Sequence, residues 1–326
     1  MTKQYSIASV IPAYNGAGVL PRLLDALKRQ TRKLDEIVVV NNASTDETAR
    51  LLAANYPDVT VLNQPTNGGV GGGLSAGLDY AVHSMKHDWV WLLDQDSLPA
   101  DDALTRLLDG LDTLAANAGS IAMLAPLCMN RQTQAAYAAS SWRHGLRKSR
   151  ASLSRDSIYF VDSVISSGTL LRREAVEEVG LPRADFFMDF VDHEYCLRVR
   201  RHGYKIAVVP QSRLEHAIGT PVQVRIFGRG RVWTAHAPWR EYYKTRNEIF
   251  TVWRYSPGWR SKLTVGGRLL RHAVGVLLFG RERAASFKMM YRGILDGCRG
   301  RLGIRYCDSE HPTRRSSPSS HSSSRA

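Results

Sequence analysis

Short apolar, β-branched runs alternate with longer amphipathic segments through the first ninety residues, and this alternation constrains the fold more than any other feature of the chain. Residues 7–11 (IASVI) and 36–40 (EIVVV) carry apolar side chains at successive positions, the pattern of strands covered on both faces. Between them, residues 18–30 (GVLPRLLDALKRQ) set Leu20, Leu23, Leu24 and Leu27 on one helical stripe. Ser44-Thr45-Asp46-Glu47 predicts a helix start, with Ser44 and Glu47 at capping-box spacing. A strand is expected over residues 59–62, a helix over 74–85 and a strand over 89–93. Such alternation predicts an α/β fold with a doubly wound, mostly parallel sheet flanked by helices. Sheets of that kind bind ligands at the carboxyl ends of their strands.

From about residue 158 the pattern is less regular. Strands are expected over 161–165 and 205–209, and helices over 173–179 and 191–202, the latter ending at Gly203. From residue 237 the chain reads as basic, amphipathic helices, and residues 311–326 (HPTRRSSPSSHSSSRA) have the composition of a disordered tail. The expected division is a sheet-bearing unit over 1–235, a basic helical C-terminal extension over 236–307 and a tail over 308–326.

Charge follows the same division. Residues 1–196 carry 18 Lys and Arg against 23 Asp and Glu, a net of −5, whereas residues 197–326 carry 26 against 7, a net of +19. A half so basic needs an anionic partner, which could be nucleic acid, anionic lipid headgroups or a diphosphate-bearing substrate. No apolar run approaches the roughly 18–20 uncharged residues that span a bilayer. The longest, residues 263–279, is broken by Arg268, Arg271 and His272 and reads equally as a membrane-surface helix or as core packing. The N-terminus runs straight into a strand without a signal-type apolar region, so a cytoplasmic chain is expected. Cys128, Cys196, Cys298 and Cys307 form no CxxC pair, which favours reduced, buried thiols over a zinc or disulfide framework.

Four polar motifs fall at strand ends. Asp94-Gln95-Asp96 follows WVWLL; two carboxylates at i and i+2 where a buried strand emerges suit a hard cation, Mg²⁺ or Mn²⁺, although alone they read as a surface turn toward Pro99. Asn67-Gly68-Gly69-Val70-Gly71-Gly72-Gly73 precedes an expected helix and lets backbone N–H groups approach a diphosphate, or acts as a hinge. Asp189, Asp192 and Glu194 open the 191–202 helix, where carboxylates cap the dipole or supply a general base. His216 follows the last strand and is a candidate third metal ligand or a structural histidine.

In this order, VIPAYNG (residues 10–16), VVVNNASTD (38–46), NGGVGGG (67–73), LLDQDS (92–97), SSGTLLRREAVEEVG (166–180), FFMDFVDHEYCLRVRRHGYKI (186–206) and LEHAIG (214–219) resemble the inverting family 2 glycosyltransferases of the GT-A fold. The resemblance spans about residues 5–305. VDHEYCLR (191–198), WREYYKTRN (239–247) and GILDGCRGR (293–301) look most like bacterial rhamnosyltransferases of O-antigen and related polysaccharide assembly, with galactofuranosyltransferases next.

The resemblance implies a metal-dependent hexosyltransferase, with the acceptor part of the catalytic domain beginning near residue 158. Pro12, Tyr14, Asn15, Asn42, Asn67, Gly69, Asp94 and Gln95 would bind the donor, Asn42 standing where many relatives have Asp. Asp96 and His216 would hold Mg²⁺ or Mn²⁺, and Asp192 would be the catalytic base. Glu194, Asp189 and Arg246 would face the acceptor. The implied donor is dTDP-rhamnose, or UDP-galactofuranose in the alternative. The implied acceptor is a lipid-linked saccharide at the inner face of the cell membrane, with the enzyme peripheral to it. A nucleic-acid partner is not expected, because the acidic motifs would repel phosphates. An inactive scaffold is equally disfavoured, because Asp94, Asp96, Asp192 and His216 occur together.

Overall fold

The computed structural model describes residues 5–114, 119–131, 136, 140–141, 147–148, 157–216, 220–226, 229–256, 258–280 and 282–307. The tail expected over 308–326 lies outside the described residues, as do residues 217–219 of LEHAIG.

Strands β1 (Ile7–Ala13), β2 (Glu36–Asn41), β3 (Thr60–Asn63) and β4 (Trp89–Leu92) form a parallel block in the order β3-β2-β1-β4. Helices α1 (Leu20–Arg29), α2 (Thr48–Asn55) and α3 (Gly69–Leu78) connect them, and all four leucines of the expected α1 stripe are buried. Next come β5 (Leu98–Pro99), α4 (Ala103–Thr113), β6 (Ile121–Asn130) and a short antiparallel pair, β7 (Ser140–Ser141) and β8 (Arg147–Lys148). Then follow β9 (Tyr159–Val161), β10 (Leu170–Arg172), α5 (Arg173–Val179), α6 (Val191–Arg201) and β11 (Lys205–His216). The sheet is mixed, with most of its paired residues in parallel register. Parallel pairing holds in the first block and between β6 and β11, but β10 enters antiparallel between β4 and β6. β11 also pairs antiparallel with β9 at one end and β5 at the other.

Two apolar layers cover the faces. One includes Leu23, Leu27, Trp91, Leu104 and Leu107, and the other includes Val10, Leu74, Val90, Val176 and Tyr195.

Several local expectations are corrected. Helix α2 begins at Thr48, not at Ser44: Asp46 Oδ1 accepts from the Thr48 N–H at 3.0 Å, while Ser44 Oγ accepts from Asn15 N–H. The glycines are not a loop before a helix but the first turns of α3 itself, which continues as a π-helical turn over Asp79–Ser84. Each helical Gly costs about 1 kcal/mol relative to Ala, so packing must supply the reason. A Cβ at Gly73 would lie 2.7 Å from Pro12 Cβ, and one at Gly71 2.6 Å from the Arg183 carbonyl. Among the cysteines, Cys128 and Cys196 are buried as expected, but Cys298 is exposed.

Beyond the hairpin of β12 (Thr220–Ile226) and β13 (Arg229–Ala235), three helices follow: α7 (Pro238–Tyr255), α8 (Trp259–Phe279) and α9 (Arg283–Cys298). Helix α7 packs inward. Its Trp239, Tyr242, Tyr243, Arg246, Asn247 and Ile249 are all buried, and it packs closely along α9. A Cβ at Gly293 of α9 would come within 2.7 Å of the Tyr242 carbonyl.

The glycine packing yields a paired test by urea unfolding. A Cβ at Gly77 would collide with Val10 Cγ1 and lie 3.0 Å from Val40 Cγ2. Gly77→Ala should lose about 1–3 kcal/mol to overpacking. At Gly72 nothing lies within 4 Å of the added carbon, so Gly72→Ala should instead gain about 0.5–1 kcal/mol from helix propensity.

Candidate functional site

The carboxyl end of β4 delivers Asp94, and a tight turn follows in which Ser97 N–H donates to the Asp94 carbonyl at 2.9 Å. That turn feeds β5, whose antiparallel register with β11 sets Glu215 opposite Leu98. His216, one residue further along β11, therefore arrives beside Asp96. His216 Nδ1 lies 3.2 Å from Asp96 Oδ1, and Nε2 lies 3.3 Å from Asp94 Oδ2. One ligand atom from each of the three residues lies within 4.8 Å of the other two. Two carboxylate oxygens and one imidazole nitrogen are a donor set that fits a divalent cation.

The electrostatics report the same crowding. Burial pushes the Asp94 carboxyl up to about 6, and the charges of Asp96 and Asp192 add to the rise, while His216 and Arg240 oppose it. Burial alone would lower His216, yet it is raised, because the hydrogen bond to Asp96 and the charges of both aspartates outweigh desolvation. Burial raises the Cys128 thiol to about 12, with Asp94 and Asp96 contributing. Asp192, in the first turn of α6, is half-buried, and its Oδ1 accepts the His193 N–H at 2.7 Å.

The turn before α6 is unusual. Phe187, Asp189 and Phe190 all have positive φ, at 63°, 58° and 68°, a conformation that costs on the order of 1–3 kcal/mol at each non-glycine residue. Side chains of α7 hold it. Asn247 Nδ2 contacts the carbonyls of Phe186, Met188 and Asp189 at 2.8–3.0 Å. Arg246 Nη2 donates to the carbonyls of Asp185 and Phe186 at 3.1 Å, and its Nη1 to that of Gly303. Both oxygens of Asp189 accept from Arg240, at 2.9 and 3.2 Å. On the other side, the Phe187 carbonyl accepts the Gly71 N–H at 3.0 Å, which ties this turn to the glycine helix.

Around the glycine helix, Asn67 Oδ1 accepts the Gly69 N–H at 2.8 Å and Asn42 Nδ2 donates to the Gly69 carbonyl at 3.2 Å. Asn42 Oδ1 is buried and accepts no hydrogen bond among the described residues. Pro12 lies beneath Gly73, and Tyr14 is partly exposed at the mouth. Asn15 Oδ1 accepts the Thr45 N–H at 2.8 Å, joining the loops after β1 and β2.

Of the expected residues, Asp94, Asp96, His216 and Asp192 come together, and Pro12, Asn42, Asn67 and Gly69 gather around the start of α3. Four others do different work. Gln95 spends both ends of its carboxamide on the Tyr14 backbone, at 2.9 and 3.2 Å. Glu194 is fully buried on the inner side of α6, accepting from Arg198 at 2.9 Å and Tyr255 at 2.6 Å, so it does not face an acceptor. Arg246 is fully buried on backbone carbonyls, and Asp189 is committed to Arg240. Arg240 was missed as an individual residue. Its signal lay within residues 239–247, where helical spacing puts it one and two turns before Lys244 and Asn247.

Two outcomes are expected. Asp94 titrates near 6 in the fold against 3.8 unfolded, so the metal-free fold is favoured by its proton and loses that contribution as pH rises through about 6. A cation competes with this proton; Mn²⁺ should therefore bind more weakly at pH 5 than at pH 8, and Asp96→Asn should remove the binding, as read by calorimetry. Asn247→Ala strips buried carbonyls of their donor and should cost about 1–3 kcal/mol in denaturant unfolding.

The comparisons with known proteins agree with this geometry. Over 302 residues, covering 91% of this chain and 97% of the other, the sequence is 26% identical to a dTDP-rhamnosyl transferase, RfbF, of Shigella flexneri. It is 27% identical over 274 residues to the galactofuranosyltransferase GlfT1 of Mycolicibacterium smegmatis, covering 81% and 87% of the two chains. Among solved structures, S. aureus TarS 1–349 in complex with UDP superposes with a TM-score of 0.53 at 14% identity, covering 90% of this chain and 92% of that one. GalNAc-T7 with UDP, GalNAc and Mn²⁺ superposes with a TM-score of 0.56 at 17% identity, covering 76% of this chain and 47% of that one. These superpositions show a GT-A-like glycosyltransferase fold. The model of glycosyl transferase family 2 matches residues 9–180, more than half of the sequence, and the chain belongs to that family.

Proposed function

We propose that the chain is an inverting, metal-dependent glycosyltransferase that moves L-rhamnose from dTDP-rhamnose to a lipid-linked saccharide. The setting would be cell-surface polysaccharide synthesis of the O-antigen type, on the cytoplasmic side and peripheral to the membrane. The observation that carries the reading is the convergence of Asp192, at the head of α6, with the Asp94, Asp96 and His216 cluster, close enough for its charge to act on Asp94. The similarity to a dTDP-rhamnosyl transferase along nearly the whole of both chains favours rhamnose. The similarity to GlfT1 supports UDP-galactofuranose as the second reading.

In this reading Asp94, Asp96 and His216 hold the divalent cation, which supplies Lewis-acid stabilisation of the diphosphate. Asn42, whose side-chain oxygen has no hydrogen-bond partner among the described residues, and Pro12, Tyr14 and Asn15 at the strand ends take the nucleoside. Asn67 and Gly69 at the start of α3 face the sugar-nucleotide. Asp192 accepts the proton of the acceptor hydroxyl as that oxygen bonds to the anomeric carbon. The bond from the anomeric carbon to the diphosphate oxygen breaks on the opposite face, and the nucleoside diphosphate departs. One displacement inverts the anomer and calls for no protein nucleophile. The bidentate bond to Asp189 leaves Arg240 Nη1 unused in that pair, so this guanidinium can meet negative charge that develops near Asp94.

The test is calorimetric binding of dTDP-rhamnose and UDP-galactofuranose with and without Mn²⁺ or Mg²⁺, followed by transfer assays with the preferred donor. Metal-dependent preference for dTDP-rhamnose is expected, and the opposite preference moves the assignment to the second reading. Asp192→Asn should lower transfer by at least about 10³-fold while donor affinity stays within about threefold. Retained turnover in that variant would sink Asp192 as the base.

A further inference from the structure

Helix α8 wears its apolar side outward. Trp259, Leu263, Leu270, Val274, Leu277 and Leu278 are 46–67% exposed. At about 100° per residue they share an arc of about 100° on one side of the helix. The opposite side is turned inward and is mixed: Val265, Gly275 and Val276 are buried there, and beside them His272 Nε2 lies 2.6 Å from Glu241 of α7 and Arg268 pairs with Glu248. A helix packed only for solubility would show the reverse arrangement. The same apolar surface continues into a groove of about 430 Å³ between α7, α8 and α9, whose lining includes Trp253, Leu269, Leu270, Met290, Tyr291 and Ile294.

Charge selects the occupant. Helix α8 contains no Asp or Glu, and Arg260 and Arg271 flank one edge of the stripe while Lys262 flanks the other. Arg260 stacks over the Trp259 ring at 5.5 Å, and Lys262 lies over the Trp253 ring at 5.1 Å. Indole rings with cations beside them, at the border of an aliphatic surface, suit the headgroup level of a bilayer. A second copy would bring the same cations to the same edges and be repelled. A polyanion without an apolar phase would leave the leucines in water. No helix among the described residues is long and apolar enough to cross a membrane, so the helix would lie along the surface.

We propose that the outward face of α8, with the groove it shares with α7 and α9, docks on an anionic lipid surface, the apolar stripe entering the headgroup–acyl boundary and the groove receiving a lipid chain. This rests on the membrane-peripheral part of the function proposed above, gives it an address, and is independent of which sugar is transferred.

The experiment is flotation of the full chain with vesicles of phosphatidylcholine alone or mixed with phosphatidylglycerol, at low and high salt. Binding to the anionic vesicles is expected, weakened by salt. Leu270→Glu combined with Leu277→Glu should lower the bound fraction roughly tenfold or more, and Arg260→Glu combined with Arg271→Glu should lower it mainly at low salt. All four side chains are exposed, and circular dichroism together with unaltered metal-dependent nucleotide-sugar binding checks that each variant is folded. Wild-type flotation that survives both double substitutions would overturn the assignment to α8 while leaving membrane association standing. Failure of the wild type to float would overturn the surface and the peripheral reading together, with donor binding still testing the glycosyltransferase. Equal binding to both vesicle types, or a dimer in sedimentation that the leucine substitutions dissociate, would also overturn it.

Discussion

Every carbonyl of a turn that leaves the surface needs a donor, and the turn over residues 186–190 would be untenable without one side chain from sixty residues later. Asn247 meets three of its carbonyls and Arg246 shares one of them. In return the turn keeps three non-glycine residues at positive φ. The conformation aims the start of α6, and with it Asp192, toward the end of β4. The same turn presses on α3, since a Cβ at Gly69 would run into Phe187. The glycine helix, the acid-bearing helix and α7 are thus one mechanical unit. The helical C-terminal part holds the turn that sets the start of α6.

This joining also resolves an electrostatic difficulty. Asp94, Asp96 and Asp192 are drawn together in the half of the chain whose net charge is −5. Charges of one sign in a partly desolvated place destabilise the fold unless opposite charge is supplied. His216 supplies part of it from β11, and Arg240 supplies more from α7 while held in place by Asp189. Cations have a cost there too: burial pushes His236 down to about 4, with Lys244 and Arg240 adding, and burial lowers Lys244 as well. Glu241 answers them, held below the usual carboxylate range by its bond to His272 and by Lys244 despite a burial that would raise it.

The parts of this design that rest on periodicity were legible in the sequence. The β1–β4 block, α1 and α5 follow from apolar spacing, because each buries a stripe that its own residues define. The aspartates and His216 stood out through the order of the motifs and the family resemblance it carries, since alone the pair reads as a surface turn and the histidine as a structural one. What the sequence hid depends on partners remote along the chain. The antiparallel entry of β10 is three residues of pairing with β4 and β6, too short for a pattern. Glu194 and Arg246 look like site residues when only charge is considered. Their burial is set by Tyr255, Arg198 and the carbonyls of residues 185, 186 and 303, which no local window contains. The bonds from Gln95 to the backbone of β1's exit loop are hidden for the same reason.

The glycines mark the limit most clearly. Read locally, NGGVGGG is a loop, because propensity penalises glycine in a helix. It is a helix because propensity is the smaller quantity: four glycines cost a few kcal/mol, whereas a Cβ at Gly71 or Gly73 would meet backbone or Pro12 at 2.6–2.7 Å. Helix propensity is sacrificed so that α3 can approach β1 and the 183–187 segment without side chains between them. Helix α8 shows the converse. Its residues have ordinary helical periodicity, and only the direction of the stripe is unusual, because the Glu241 and Glu248 carboxylates of α7 capture its polar side. Those two glutamates, together with the buried Val265 and Val276, hold the inward side of α8 and leave the leucine stripe turned outward.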